Sequence, residues 1–256
     1  MIHFDHIVFG PIKSRRLGIS LGINLLPRQG KLCNFDCIYC ECGWNKDGLG
    51  DRTLPTGEAV KTALEDRLRQ MTSSGELPDA ITFSGNGEPT LHPEFSNIVN
   101  DTLALRNLYA PKAKVCVLSN ATNIGKEDVF QALQKIDQAI LKLDSGFNTT
   151  VRLVNCPKGD YSVEKTVAAL QQFKGAFILQ TMFLRGEYQG KSIDNTTPDE
   201  VEKWLHIVNL LRPKEVMIYT LDRATPAENL QKIPLEELET IAGKLRATGL
   251  QVKVAG

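Results

Sequence analysis

Four of the six cysteines in this 256-residue chain lie within residues 31–42, which read KLCNFDCIYCEC. Cys33, Cys37 and Cys40 have the spacing C-x3-C-x2-C, and Cys42 follows two residues later. Clustered thiols can form disulfides, bind a structural zinc ion, act as a C-x-x-C redox pair or ligate an iron–sulfur cluster. Each of these uses makes a different demand on the rest of the sequence.

The spacing suits the metal and redox uses unequally. A structural zinc site takes four ligands, commonly as two separated pairs, so four ligands within one short segment would be unusual. A redox pair would use Cys37 and Cys40 and would leave Cys33 without a role. An iron–sulfur cluster on three thiolates keeps one iron free for another ligand, and an open metal position is what chemistry needs. All of these uses stay open at this point.

Composition narrows the classes of protein. Hydrophobic residues make up 42% and charged residues 23%, a profile typical of a well-packed globule. Lys plus Arg and Asp plus Glu both number 30, so a broad nucleic-acid-binding face is not indicated. The N-terminus has no signal-peptide pattern, and no apolar run approaches the ~20 residues of a membrane span. We therefore expect a cytoplasmic protein with no membrane partner, where clustered cysteines more often bind metal or do redox chemistry than form disulfides.

Strand-like and helical segments alternate after residue 50, and these elements must position the cysteines. Helical periodicity covers residues 57–71, 197–211 and 234–249; the second of these opens with Thr197 as N-cap, Pro198, and Glu200 completing a capping box. Short apolar runs predict strands at 19–26, 79–85, 114–120, 138–144, 176–183, 215–221 and 250–254.

Strand–helix repeats of this length favour parallel pairing, because each crossover between parallel strands needs a helix. The pattern predicts an α/β fold of about six units, either a partial barrel or an open doubly wound sheet. Both architectures gather ligands at the carboxyl ends of the strands. We see no long linker or internal repeat, so we predict a single domain over residues 1–256.

Two motifs resemble those of the radical S-adenosylmethionine (SAM) enzymes. CNFDCIYC resembles their three-cysteine signature, including the aromatic Tyr39 before the last cysteine. SGNGEPTLHP (84–93), directly after a predicted strand, resembles their G-G-E-P-type motif, with Asn86 where the family usually has glycine. The resemblance implies a partial (β/α)6 TIM-like barrel with a cluster loop at 30–47. It also implies a [4Fe–4S] cluster on Cys33, Cys37 and Cys40, with SAM bound at the remaining iron.

The resemblance assigns further residues to SAM. The 85–88 turn would hold the methionine ammonium, since glycines allow close backbone approach and Glu88 can balance the positive charge. Ser119 and Asn120 would meet the SAM carboxylate or ribose. Lys142 and Asp144 lie on one strand face and would contact the carboxylate and ribose, with a buried ion pair as the structural alternative. Gln180 and Tyr219 are further candidates. The expected SAM-binding residues are therefore Tyr39, Gly85, Asn86, Gly87, Glu88, Ser119, Asn120, Lys142 and Asp144.

The implied reaction is reductive cleavage of SAM to methionine and a 5′-deoxyadenosyl radical, which abstracts hydrogen from a substrate. An electron donor such as flavodoxin or ferredoxin is the expected partner. GPIKSRRLGISLGINLLP and YTLDRATP (219–226) resemble the branch that includes the tRNA wyosine-base synthases. Their second-cluster cysteines are missing before Cys33, and a basic surplus for tRNA is missing too, so we do not transfer the wyosine reaction. A small metabolite or a protein residue is favoured as substrate over an RNA base.

Several residues keep two interpretations. Arg15, Arg16 and Arg223 either clamp an anionic group or form ordinary solvated pairs. Cys42 is expected to be a spare thiol, and Cys156 either donates a hydrogen atom, binds substrate or has no role. The rival class is a zinc-stabilised RNA-binding module that uses Cys33, Cys37, Cys40 and Cys42, with the Arg15–Arg16 pair on the RNA.

Overall fold

The computed structural model describes residues 4–14, 17–47 and 52–256, so Arg15 and Arg16 lie outside the described residues. Within those ranges the main sheet has eight strands, in the order β1-β2-β3-β4-β5-β6-β9-β11. Three further strands form a small antiparallel sheet in the order β10-β7-β8. The strands are β1 (Val8–Ser14), β2 (Gly18–Ile23), β3 (Ala80–Phe83), β4 (Lys114–Ser119), β5 (Gln138–Lys142), β6 (Ile178–Met182), β7 (Leu184–Tyr188), β8 (Lys191–Asp194), β9 (Glu215–Tyr219), β10 (Leu230–Lys232) and β11 (Val252–Ala255).

Parallel pairing runs from β2 through β11, while β1 pairs with β2 antiparallel. In the described chain, six strand–helix units follow one another and β11 closes the series. This confirms the α/β class and the partial (β/α)6 barrel. The helices are α1 (Gly57–Ser74), α2 (Phe95–Tyr109), α3 (Glu127–Lys135), α4 (Asn148–Val154), α5 (Val163–Gln171), α6 (Pro198–Leu211) and α7 (Leu235–Arg246).

Burial on both faces explains why the central strands read as continuous apolar runs. Every residue of β3 and of β6 is buried, as expected for parallel strands covered by helices. On α1 the apolar stripe Val60, Leu64, Leu68 and Met71 is buried in the hydrophobic core. The helical period in the sequence therefore predicted the packed face correctly.

The start of α6 departs from the sequence prediction in one respect. Thr197 is the N-cap and accepts a hydrogen bond from Glu200 N, and Pro198 begins the helix, as predicted. The Glu200 carboxylate, however, accepts hydrogen bonds from Ser145 (2.6 Å) and Thr150. The capping-box role predicted for Glu200 is therefore wrong, because this carboxylate joins α6 to the start of α4 instead of returning to the N-cap.

The small antiparallel sheet was not predicted from the sequence. Its hairpin β7–β8 follows β6 directly, and β10 follows β9. Tyr188, at the end of β7, stacks on Trp44 of the cysteine loop, with the ring centroids 5.8 Å apart. The small sheet therefore supports the outer side of the loop that carries the cysteines. No helix in the described ranges has the length and apolar character required to cross a bilayer.

Candidate functional site

A cavity of about 270 Å³ lies at the carboxyl ends of the central parallel strands. One wall is the cysteine loop, and the other consists of residues at or just beyond the ends of β3, β4, β5, β6 and β9. This is the edge of the sheet at which the sequence analysis expected a ligand, and most of the polar candidate residues line it. The lining residues include Lys31, Cys33, Cys37, Tyr39, Cys40, Cys42, Gly85, Gly87, Glu88, Ser119, Asn120, Lys142, Gln180, Met182 and Tyr219.

Backbone hydrogen bonds hold the cysteine loop from two sides. Leu32 N donates to Asn86 O (2.9 Å) and Glu88 N donates to Leu32 O (3.1 Å), which joins the loop to the 85–88 turn. On the opposite side Asp36 N donates to Asn155 O (2.9 Å), just beyond α4. The loop has almost no regular secondary structure, so these contacts with distant segments determine where its thiols lie.

Side-chain and backbone N–H groups point at two of the three cysteine sulfurs. Cys33 Sγ accepts from Phe35 N (3.4 Å) and from Asn120 Nδ2 (3.5 Å). Cys37 Sγ accepts from Asn155 Nδ2 (3.4 Å). Burial raises the pKa of both thiols, to about 11 for Cys37, whereas these donors favour the thiolate. Buried sulfurs that receive N–H bonds have the chemistry of metal-binding thiolates.

The third cysteine has a different surrounding. Cys40 lines the cavity together with the Cys42 thiol and the Lys31 ammonium, and these two neighbours lower the pKa of Cys40. Cys42 Sγ is also 3.4 Å from Gly85 O, so this fourth thiol sits inside the cavity between the two walls. Lys31 Nζ donates to Asp36 Oδ1 (3.2 Å) and to Gly43 O (3.0 Å). Sequence reasoning missed Lys31, although a lysine two residues before the first cysteine was a signal to examine.

Glu88 reaches the cavity but is engaged by its neighbours. Its Oε1 accepts from Thr90 N (3.1 Å), Thr90 Oγ1 (2.6 Å) and Ser119 Oγ (2.9 Å). Its Oε2 accepts from Asn120 N (2.7 Å). Burial raises the pKa of Glu88, while these hydrogen bonds lower it. The carboxylate therefore joins the 85–88 turn to the end of β4, and only Oε2 keeps a free lone pair for a ligand.

Glycine is required at two positions of the turn. Gly85 and Gly87 have φ angles of +140° and +138°, which L side chains rarely adopt. A Cβ at position 87 would lie 1.9 Å from Leu32 O, and one at position 85 would lie 2.5 Å from Asn24 Oδ1. The sequence predicted that these glycines let the backbone approach a ligand closely. In the structure they also let the backbone approach Leu32 and Asn24 of the protein itself.

Two predicted SAM-binding residues do not line the cavity. The Asn86 side chain donates from Nδ2 to Phe4 O (2.8 Å) and Pro27 O (2.9 Å), so its amide is occupied outside the cavity. Only the Asn86 backbone contributes to the site, by accepting the hydrogen bond from Leu32 N. Asp144 is buried and accepts from Met182 N (2.9 Å) at Oδ1. Its placement supports the alternative of a buried ion pair, because Lys142 Nζ lies 3.6 Å from Asp144 Oδ2.

Lys142 belongs to a buried network that reaches the cysteine loop. Its Nζ donates to Tyr39 OH (2.8 Å) and to Tyr219 OH (3.1 Å). Tyr39 in turn donates to Asp144, which also accepts from Asn155 Nδ2 (2.6 Å). Burial lowers the pKa of Lys142, but Asp144 and Tyr219 outweigh it and raise that pKa overall. Lys142 therefore presents a permanent positive charge to the cavity. Asn155 lies beside the Cys156 that sequence reasoning considered, and was itself missed.

The remaining candidates have separate places. Ser119, Asn120, Gln180 and Tyr219 all line the cavity. Cys156 does not; it is half-buried at a φ of +43° beyond α4. A second cavity of about 420 Å³ shares Glu41 and Leu118 with the first.

Arg223 lines this second cavity and pairs with Glu41 at 2.5 Å. Both side chains are exposed, so the structure shows the ordinary solvated pair that the sequence allowed.

Among the described residues, no group of three or more His, Cys, Asp and Glu side chains is placed to hold one metal ion. A polynuclear cluster binds its thiolates at different iron atoms, so its ligands need not surround one metal ion. The donor set fits such a cluster: three thiols line one cavity and two of them accept N–H bonds. These residues are the ones that the family motif would use.

Comparison with curated proteins gives relatives that cover most of this chain. A protein of Brachyspira hyodysenteriae described as GTPase Obg is 29% identical over 239 residues, which cover 91% of this chain and 32% of that protein. A UPF0026 protein of Methanocaldococcus jannaschii is 32% identical over 241 residues, covering 91% of this chain and 69% of that protein. This chain thus spans about a third of the Brachyspira protein.

Solved structures share the fold at low sequence identity. A radical SAM methyltransferase from Sphaerobacter thermophilus has a TM-score of 0.69 at 14% identity, covering 92% of this chain and 65% of that one. TYW1 with a lysine–pyruvate adduct has a TM-score of 0.60 at 14% identity, covering 89% of this chain and 73% of that one. These similarities show the fold alone, and they agree with the partial barrel described above.

A family model of the Radical SAM superfamily matches residues 30–191, which is well over half of the chain. The match includes all three cysteines of the signature, the 85–88 turn and the polar ends of β4, β5 and β6. SAM and an iron–sulfur cluster are implied by this family. The chain therefore belongs to the radical SAM superfamily and is an enzyme of that class.

Proposed function

We propose that this enzyme cleaves SAM reductively at a [4Fe–4S] cluster held by Cys33, Cys37 and Cys40. The observation that carries the proposal is that these three thiols line one cavity, facing a polar wall built from the ends of parallel strands. When bound and reduced, the cluster supplies the single electron that breaks the S–C5′ bond of SAM. The other groups of the cavity bind and orient SAM around that reaction.

The polar wall offers groups of both signs to the amino-acid part of SAM. Glu88 Oε2 has a free lone pair for an ammonium, and the glycines bring backbone groups close to the same place. Lys142 presents a positive charge suited to a carboxylate, supported by Ser119 and Asn120 at the end of β4. Asp144 acts indirectly, because it holds Tyr39 and Lys142 in place.

Anaerobic reconstitution tests the proposal directly. The protein should take up about four irons and four sulfides, become brown, and convert SAM to 5′-deoxyadenosine when dithionite is added. Colourless protein that holds one tightly bound zinc ion and has no SAM cleavage would support the rival zinc-stabilised module. A strongly salt-dependent affinity for RNA would point the same way, since phosphate contacts release counterions.

We place the substrate in the second cavity, because it shares Leu118 with the SAM cavity and so adjoins the reacting centre. Its floor carries hydroxyls, with Ser20 Oγ and Thr82 Oγ1 hydrogen-bonded at 2.8 Å, and Lys13 and Arg223 lie at its rim. This size and polarity favour a small metabolite or a single protein residue, with an RNA base as the alternative. Comparing metabolites, protein modifications and RNA modifications between a deletion strain and its parent distinguishes the three.

We also propose a flavodoxin or ferredoxin as the one-electron donor and the cytoplasm as the location, since the cysteines must stay reduced. Purified flavodoxin with its reductase should replace dithionite in the SAM-cleavage assay. Activity with dithionite but none with either small electron carrier would refute this partner.

A further inference from the structure

Lys31 is the most deeply buried charge of the cysteine loop. Its side chain is 1% exposed, and Nζ donates to Asp36 Oδ1 at 3.2 Å and to Gly43 O at 3.0 Å. The ammonium also lines the same cavity as the Cys33, Cys37 and Cys40 thiols. Lysine is almost never fully buried unless it is paired, so this placement needs a reason.

Stability alone is a weak reason. A buried ion pair is often no more stabilising than apolar side chains of similar volume, because two charges must leave water. The pair is also asymmetric: the Asp36 side chain is 25% exposed, and its Oδ1 additionally accepts from Asn45 N at 2.9 Å. Water and a second donor therefore screen the negative partner, whereas the positive one lines the same cavity as the thiols. What a lysine contributes there is net positive charge.

We propose that Lys31 is a positioning residue that sets the reduction potential of the cluster held by Cys33, Cys37 and Cys40. The inference rests on the proposed function, namely that these thiols hold an iron–sulfur cluster. The step concerned takes one electron from a low-potential one-electron donor and makes the cluster one unit more negative, with no bond broken in the protein. A fixed cation beside the thiolates stabilises that more negative state, and net charge and hydrogen bonds to sulfur are what tune such potentials.

Redox titration of the reconstituted full chain without SAM, followed by electron paramagnetic resonance, measures this potential. Lys31→Met should lower the midpoint potential by the equivalent of at least a tenfold change in the reduction equilibrium, or about 59 mV for one electron. Lys31→Arg keeps the charge, so its midpoint potential should lie close to that of the wild type. Asp36→Asn keeps the acceptor but removes the opposing charge, so it should move the potential upward.

Lys46→Met is the matched control, because Lys46 is an exposed lysine of the same loop and water screens its charge. Its potential should equal that of the wild type. A merely structural role for Lys31 would not move the potential in opposite directions in Lys31→Met and Asp36→Asn.

Equal potentials in wild type, Lys31→Met and Asp36→Asn, all with full clusters, would overturn the inference and leave the proposed function intact. Wild-type protein without any cluster would instead overturn the proposed function. If Lys31→Met cannot retain iron, Lys31→Gln decides in its place, because it removes the same charge but keeps a polar side chain: a downward shift supports the inference, and none refutes it. Loss of the cluster in both variants would show that the pair only holds the loop.

Discussion

The cysteine loop and the strand ends face each other across one cavity, but they use their polar side chains differently. In the loop, backbone bonds from Leu32 and Asp36 to distant segments fix the chain, so the thiols are directed inward. At the strand ends, the carboxylates of Glu88 and Asp144 are themselves used to hold neighbouring residues. From the proposed function we therefore expect the loop to determine whether a cluster is held, and the strand ends to determine how well SAM is oriented.

The largest effect is expected from the loop thiols. Replacing Cys33, Cys37 or Cys40 singly with Ala should abolish both iron–sulfur content and SAM cleavage, because the proposed cluster has these three thiolates as its protein ligands. Iron and sulfide analysis after reconstitution measures this. Cys116→Ala, at a buried core position that does not line the cavity, is the control and should keep its iron. Wild-type iron in any one of the three variants would remove that residue from the ligand set.

The contact between the two walls should be the next most sensitive point. Gly87→Ala places a Cβ 1.9 Å from Leu32 O at a φ of +138°, so the turn and the loop cannot both keep their places. Backbone strain of this kind costs roughly 1–3 kcal/mol. The melting temperature should fall by several degrees, at about 2–4 °C per kcal/mol, and the fraction of protein that retains the cluster should fall with it.

Gly125→Ala is the matched control for that change, because a Cβ there meets nothing within 4 Å. Its melting temperature should stay within about a degree of the wild type, since surface substitutions away from special features are usually near neutral. If Gly87→Ala behaved like Gly125→Ala, the turn would not be what positions the loop.

A change confined to the strand ends should weaken SAM binding without removing the cluster. In Glu88→Gln the new amide NH2 must face either Asn120 N or Thr90 N, both of which are donors, and the negative charge is lost. SAM affinity should fall by roughly ten- to a hundredfold, or about 1.5–3 kcal/mol. Anaerobic calorimetry measures it, with exposed Glu76→Gln as the control. Unchanged affinity in fully loaded Glu88→Gln would show that the carboxylate only supports the turn.

The smallest effect is expected at Cys42, although this thiol lies in the same cavity. Cys42 Sγ already has Gly85 O and the Cys40 thiol as neighbours, and it falls outside the three-cysteine spacing. Cys42→Ala should keep wild-type iron content and SAM cleavage within about twofold, since a lost neutral hydrogen bond contributes only ~0.5–1.5 kcal/mol. Iron loss as complete as in Cys33→Ala would make Cys42 a ligand and would break the division between loop and strand ends.

Sequence patterns located the main elements because those signals are local. The apolar runs around residues 80, 115, 140, 180 and 217 became strands, and the helical stripe of α1 became its buried face. The hairpin β7–β8 and strand β10 escaped notice, since short antiparallel strands that are partly exposed lack a strong apolar run. Glu200 was misassigned because Ser145 and Thr150, its real partners, lie about fifty residues away.

By itself the sequence determined the α/β class, the three-cysteine spacing and the glycine-rich turn, because each depends on neighbours within a few residues. Only the tertiary structure decided which groups remain available to a ligand. It turned Asn86 toward Phe4, surrounded Glu88 with four donors, and brought Lys31 to the cysteine thiols. Tyr39 and Asp144 are 105 residues apart in sequence yet hydrogen-bonded in the fold. A polar side chain's partners depend on which distant elements pack around it, and no local pattern encodes that arrangement.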